Sequence, residues 1–130
     1  MRQTLRVVGV ATFIVLKARA FEDRKEEKDA YDLVYCLEHA GPDAAAAAFG
    51  SLRAQQEDPY LFTEAEATLR RHFASDAAGE GYTRSGSRAY ARFYGDTGDT
   101  ATRRQREASG VVEAFLAALP SHPPPPLSSE

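Results

Sequence analysis

Cysteine is all but missing: Cys36 stands alone among 130 residues, so no disulfide can close within the chain. Its neighbours Tyr35 and Leu37 offer no catalytic surroundings, and the thiol reads as an inert, partly buried side chain. A chain without disulfides suits a reducing compartment, and the expected location is the cytoplasm. A positive charge excess is missing as well, since the formal net charge is −3. That balance gives no drive toward nucleic acid or an anionic membrane. Long apolar runs are also lacking. The run "VVGVATFIVL" at 7–16 has ten residues, half of the roughly 20 that a bilayer span requires.

The same run imitates an export signal. Arg2 and Arg6 precede it, and "ARA" at 18–20 has the small-x-small form of a cleavage site. Lys17 and Arg19, however, put two positive charges between the apolar core and the cut, where signals are normally uncharged. The stretch is therefore read as a helix and not as a leader.

No internal repeat is visible, and turn signals divide the chain into helices. The first is expected over about Thr12 to Asp23, which holds good helix formers and neither Pro nor Gly. Its apolar stripe is Phe13, Leu16 and Ala20, broadened by Ile14 and Phe21. "LRVV" at 5–8 could form one short strand, but nothing else in the chain looks like a partner for it. A second helix, about Lys28 to His39, has the spacing Ala30, Leu33, Val34, Leu37. "GP" at 41–42 ends it and opens a third, alanine-rich helix. A fourth runs from about Pro59 to Ala77 with Phe62, Ala65, Leu69 and Phe73 on one face. "GEGYTRSGSRAYARFYGDTGD" then reads as loop with an irregular turn or short helix. The last helix, about Thr100 to Leu119, buries Ala108, Val111, Val112, Phe115, Leu116 and Leu119. Gly110 inside it should cost ~1 kcal/mol relative to Ala. The expected fold class is all-α: a bundle of about five helices over 1–119, with at most one orphan N-terminal strand. Residues 120–130, "PSHPPPPLSSE", form a disordered tail.

On a helical wheel the second helix turns Lys28, Asp32 and His39 away from its apolar stripe, with Asp29 on the flank. Lys28 and Asp32 are i, i+4 and mildly attractive, whereas Asp29 and Asp32 are i, i+3 and mildly repulsive. A solvated polar face explains this much. Lys17 and Arg24 lie seven apart on one face of the first helix, where they could jointly hold a phosphate or simply be exposed. Two carboxylates without a fixed third ligand make a weak metal site, and no metal ligands are assigned. Basic and aromatic residues interleave at Arg84, Arg88, Tyr90, Arg92 and Phe93, a pattern that can track a nucleic-acid strand. The negative net charge argues against that use.

Taken together, "LKARAFEDRKEEKDAYDLVYCL" at 16–37 resembles the C-terminal motif of the nucleotidyltransferase-like proteins of the AbiEii/AbiGii toxin family. In that motif a helix carrying a Lys is followed by an Arg, a Lys-Asp pair and, three residues on, a second Asp. The matching positions are Lys17, Arg24, Lys28, Asp29 and Asp32. The likeness is good over about 12–40; "YARF" at 90–93 and the final helix look similar to the region C-terminal to the motif in bacterial members. The resemblance implies a polymerase β-like nucleotidyltransferase domain joined to a helical bundle. The five residues would then serve the nucleotide side of the active site, with Mg and a nucleoside triphosphate bound by a full-length relative.

The departure is as informative. Nucleotidyl transfer of this class uses paired metal-binding carboxylates on adjacent strands and a glycine-rich phosphate loop. Both should precede the motif, and only eleven residues stand before the first helix. "SGS" at 85–87 comes after the motif and does not replace the loop. The expected function is therefore a C-terminal helical fragment of such a toxin, with no cofactor of its own and inactive alone. Its candidate partners are a nucleotide, an antitoxin or a missing N-terminal catalytic domain. The alternative is a non-enzymatic helical module that binds a partner subunit or a second copy of itself; no membrane role is expected.

Overall fold

A computed structural model describes residues 2–120, with side chains from residue 9 onward. Among them are six α-helices: α1 (Arg2–Arg24), α2 (Glu27–Ala40), α3 (Pro42–Ala54), α4 (Tyr60–Phe73), α5 (Ser85–Tyr94) and α6 (Gly98–Ala118), with a 3-10 turn at Gly81–Thr83. The all-α fold class holds. No helix among the described residues is long and apolar enough to cross a membrane. The expected tail from 121 on lies outside the described residues.

Helix α1 packs on α2, α3 and α4, while α6 closes the bundle against α3, α4 and α5. The core between them holds Ile14, Phe21, Leu33, Leu37, Phe49, Leu69, Phe73, Val112 and Phe115, all fully buried. The stripe Ala30, Leu33, Val34, Leu37 of α2 faces inward as its spacing dictates, and so do Phe62, Ala65, Leu69 and Phe73 of α4. Of the α6 set, Val111 and Leu119 are only partly buried.

Three local expectations give way. "LRVV" is the start of α1 and not a strand. A lone strand leaves its N–H and C=O groups unpaired, whereas a helix satisfies them internally. The buried face of α1 is Ala11, Ile14, Val15, Ala18 and Phe21, and Phe13 and Leu16 point outward, with Leu16 60% exposed. This helix is apolar nearly all round over 10–16, so periodicity alone could not choose its inner face. Finally, α4 stops at Phe73, where Ala74 turns extended. There the Ser75 N–H donates to Glu113 Oε2 at 2.6 Å, and Ser75 Oγ accepts from the Gly81 N–H at 2.7 Å. Side-chain partners thus replace the next helical turn.

The glycine- and serine-rich segment contributes a core helix. Ser87, Ala89, Tyr90 and Ala91 of α5 are buried, and Gly95 ends the helix in the left-handed region at φ 75°. Its small residues serve close packing: a Cβ on Gly86 would stand 2.5 Å from the Phe73 ring and 2.8 Å from the His72 carbonyl.

The α1–α2 connection is the turn that matters for the site. Only Lys25 and Glu26 separate the two helices, and Lys25 adopts φ 56° while its N–H bonds the Phe21 carbonyl at 2.8 Å. That left-handed residue reverses the chain at once, so the two helices run side by side from their shared end.

Candidate functional site

The reversal brings together all five motif residues. Lys17, two turns before the end of α1, places Nζ 2.8 Å from Asp32 Oδ2 and 3.5 Å from Asp29 Oδ1. Arg24, at the end of α1, grips Asp29 as a fork: Nη2 lies 2.9 Å from Oδ1 and 2.8 Å from Oδ2, and Nε lies 3.2 Å from Oδ2. Lys28 Nζ reaches both oxygens of Asp32, at 3.0 and 3.1 Å. Three cations thus surround two carboxylates, leaving a formal charge of +1 on the cluster.

Asp29 is not on a solvated flank. Its side chain is only 2% exposed, because α1 lies over it and supplies Lys17 and Arg24 as partners. A buried carboxylate is tolerated when paired and hydrogen-bonded in this way. Asp32 is half-buried, while Lys28 and Arg24 stay largely in solvent. His39, on the same side of α2, is exposed and stacks on Tyr35 instead of joining the cluster.

The charges reinforce one another. The hydrogen bond to Asp32, helped by the charges of both carboxylates, raises the Lys17 pKa above the usual lysine value, against the opposing effect of burial. Burial works to raise the Asp32 pKa, but the hydrogen bonds and charges of Lys17 and Lys28 outweigh it and hold the carboxyl below its ordinary range. Lys17 also lies over the Phe13 ring, 5.6 Å from its centroid.

The donor set does not suit a divalent cation, since both carboxylates are already neutralised by ammonium and guanidinium groups that would repel the ion. It suits an anion. Lys28 Nζ spends its donors on one carboxylate alone, and Arg24 Nη1 has no protein partner among the described residues. The cluster is also open. A groove of about 180 Å³ between α1 and α4 is lined by Arg19, Glu22, Tyr60, Leu61 and Thr68, and none of the five residues lines it.

Beside the cluster, α2 and α5 present an aromatic ladder that hydrophobic spacing did not reveal. Phe93 stacks on Tyr31 at 4.2 Å, Tyr31 on Tyr35 at 5.8 Å, and Tyr35 on His39 at 5.4 Å. Tyr35 is 51% exposed and Phe93 41%. Tyr90, by contrast, is buried, which takes it out of any basic-aromatic surface track, and burial pushes its phenol pKa far upward. Arg92 pairs with Glu27 at 3.2 Å and so ties α5 to the start of α2. Cys36 is half-buried, and burial raises its thiol pKa, consistent with an unreactive side chain.

A second polar cluster joins α1, α4 and α5. His72 lies between Glu22, 3.1 Å from Nε2, and Ser85, 2.6 Å from Nδ1. Sequence positions so far apart carry no spacing signal for it.

Neither a search of curated proteins nor one of solved structures returned a match. The family model described as nucleotidyl transferase AbiEii toxin, type IV toxin–antitoxin system, matches residues 2–119. With nearly its whole length covered by that model, the chain belongs to the AbiEii nucleotidyl transferase toxin family.

Proposed function

We propose that this chain is the nucleotide-side helical part of an AbiEii-type nucleotidyltransferase toxin. In this reading Lys17, Arg24 and Lys28 meet the phosphates of a nucleoside triphosphate, while Asp29 and Asp32 position those cations. The observation that carries it is the convergence of three cations and two carboxylates on one open face, with a net positive remainder and donors to spare. A rigid two-helix platform aims point charges well, and a triphosphate requires several. The metal-holding carboxylates of nucleotidyl transfer would come from a sheet outside these 130 residues. The magnesium such a reaction uses belongs with that sheet, because the cluster here repels cations. The chain alone is then silent in nucleotidyl transfer and binds nucleotide weakly.

Thermal melting with each of the four nucleoside triphosphates tests this. A ligand at ten times its Kd stabilises by about 1.4 kcal/mol, roughly 5 °C for a domain of this size. The shift should vanish in a Lys17→Met, Lys28→Ala double variant that still folds. No shift with any triphosphate at millimolar concentration would refute the nucleotide role.

A second reading has its own support. Tyr35, Phe93, Leu16 and Phe13 are large apolar side chains left exposed on α1, α2 and α5. Such a surface suits a protein partner: the missing catalytic domain, the antitoxin that a toxin–antitoxin system implies, or a second copy. Strictly monomeric behaviour at all concentrations would count against the self-association version.

A further inference from the structure

Three residues from distant parts of the sequence meet where α1, α4 and α5 join. His72, in the last turn of α4, is 8% exposed. Its Nδ1 lies 2.6 Å from Ser85 Oγ and its Nε2 lies 3.1 Å from Glu22 Oε1. A carboxylate can only accept, so Nε2 carries the ring hydrogen and Nδ1 offers its lone pair to the Ser85 hydroxyl. Glu22 is held in turn by the Thr68 hydroxyl at 3.2 Å and by Arg71, both on α4. Ser85 is the exposed first residue of α5. Hydroxyl, imidazole and carboxylate therefore stand in line, with the base buried and the hydroxyl open to solvent.

That order is what converts an ordinary hydroxyl into a nucleophile. We infer that Ser85 is a base-activated nucleophile for carboxylic esters, with His72 as its general base and Glu22 as the positioning carboxylate. Ser85 Oγ attacks the carbonyl carbon and its proton passes to His72 Nδ1. The ester C–O bond then breaks, and Nδ1 returns the proton to the leaving alcohol. Water attacks the acyl carbon next, giving a proton to Nδ1; the carboxylic acid departs and Oγ regains the proton. The hydrogen-bond ladder of α5 begins with the Arg88 N–H on the Arg84 carbonyl at 3.0 Å. Of the N–H groups before it, which have no helical partner, those of Gly86 and Ser87 belong to buried residues, and the Ser85 N–H is the one left to receive the oxyanion. Burial lowers the His72 pKa against the pull of Glu22, which keeps the imidazole neutral and able to accept. Ser85 is exposed instead of sunk in a pocket, so short acyl chains should be preferred and selectivity should be poor.

The test is labelling of the full chain with a fluorophosphonate probe, mapped by mass spectrometry. The Oγ–P bond forms, the P–F bond breaks, and the hydroxyl proton leaves with fluoride by way of His72. Ser85 should label at least about tenfold faster than the exposed Ser51 and Ser75, and p-nitrophenyl acetate should be turned over. His72→Gln should cut labelling by about a hundredfold, the usual size of a general-base contribution. In the wild type the rate should rise with pH and level off once His72 is neutral. If His72→Gln does not fold, that profile and Glu22→Gln decide instead. Ser85 labelling no faster than Ser51, or a rate that climbs with hydroxide without levelling, would reduce the cluster to a structural tie and overturn the inference.

Discussion

Asp29 and Lys28 are adjacent in the chain but differ sharply in what they hold together. Asp29 is buried under α1 with Arg24 forked across it, so its loss leaves Arg24 without its partner, whereas Lys17 keeps Asp32. Losing this charge-assisted fork to a largely solvated guanidinium costs about 1.5 kcal/mol. Asp29→Ala should lower the urea midpoint accordingly. Lys28 is 71% exposed, and its bridge to Asp32 is an i, i+4 surface pair. Lys28→Ala should therefore change stability by no more than about 0.5 kcal/mol, although it removes a proposed phosphate contact. Chemical denaturation of the two variants side by side checks the contrast. His72 gives a pH prediction. Burial is the main cause of its lowered pKa, seconded by the charges of Lys25 and Arg71, while Glu22 opposes them. The folded state thus binds fewer protons than the unfolded one below about pH 6.5. The contribution of His72 is complete above that pH and is lost as the pH falls through the folded value. Melting temperature should fall between pH 7 and pH 5, and the slope should flatten in His72→Gln.

Among the elements, the α1–α2 hairpin is the one most legible in the sequence and α5 the least. The inward stripe of α2 and the charged break before it follow from spacing, and the motif residues do meet across the hairpin. What spacing could not convey is that Asp29 is buried, since a wheel shows one helix and not the neighbour lying on it. The inner face of α1 was ambiguous for a related reason: Phe13 and Leu16 are as apolar as Ile14 and Phe21. In α5 the composition misled. Gly86 and Ser87 look like loop residues, yet they are small because the helix start presses against Phe73 and the His72 carbonyl. The His72 cluster had no sequence signal, because it depends on three elements folding together. Two substitutions test local backbone at this scale. Lys25 sits at φ 56°, where a side chain costs roughly 1 kcal/mol that glycine avoids, so Lys25→Gly should raise the melting temperature by a few degrees. Gly110 is exposed in mid-helix, and a Cβ there would meet nothing within 4 Å, so Gly110→Ala should stabilise by about 1 kcal/mol in calorimetry.

At the scale of the molecule, the ion pairs tie stability to pH, whereas the apolar core does not. Burial works against ionisation of Asp32 and Glu66, but their hydrogen bonds to Lys17, Lys28, Arg53 and Arg70 outweigh it and leave both pKa values low. Each stabilises the fold above its unfolded pKa near 4 and loses that contribution as the pH falls through the folded value. Acid unfolding followed by circular dichroism should therefore begin below about pH 4 and come at higher pH in Glu66→Gln. Exposed apolar side chains on α1, α2 and α5 are a separate matter: a partner that covered the Tyr31 stack would bury Tyr35 and Phe93 together.

The two-residue link between α1 and α2 also acts as a gauge of length. One residue added between Lys25 and Glu26 would shift the left-handed reversal from its place and change where α2 lies along α1. Asp29 and Asp32 would then swing away from Lys17 and Arg24 even though every helix remained intact. A single insertion or deletion at this link thus dismantles the charged cluster at a stroke.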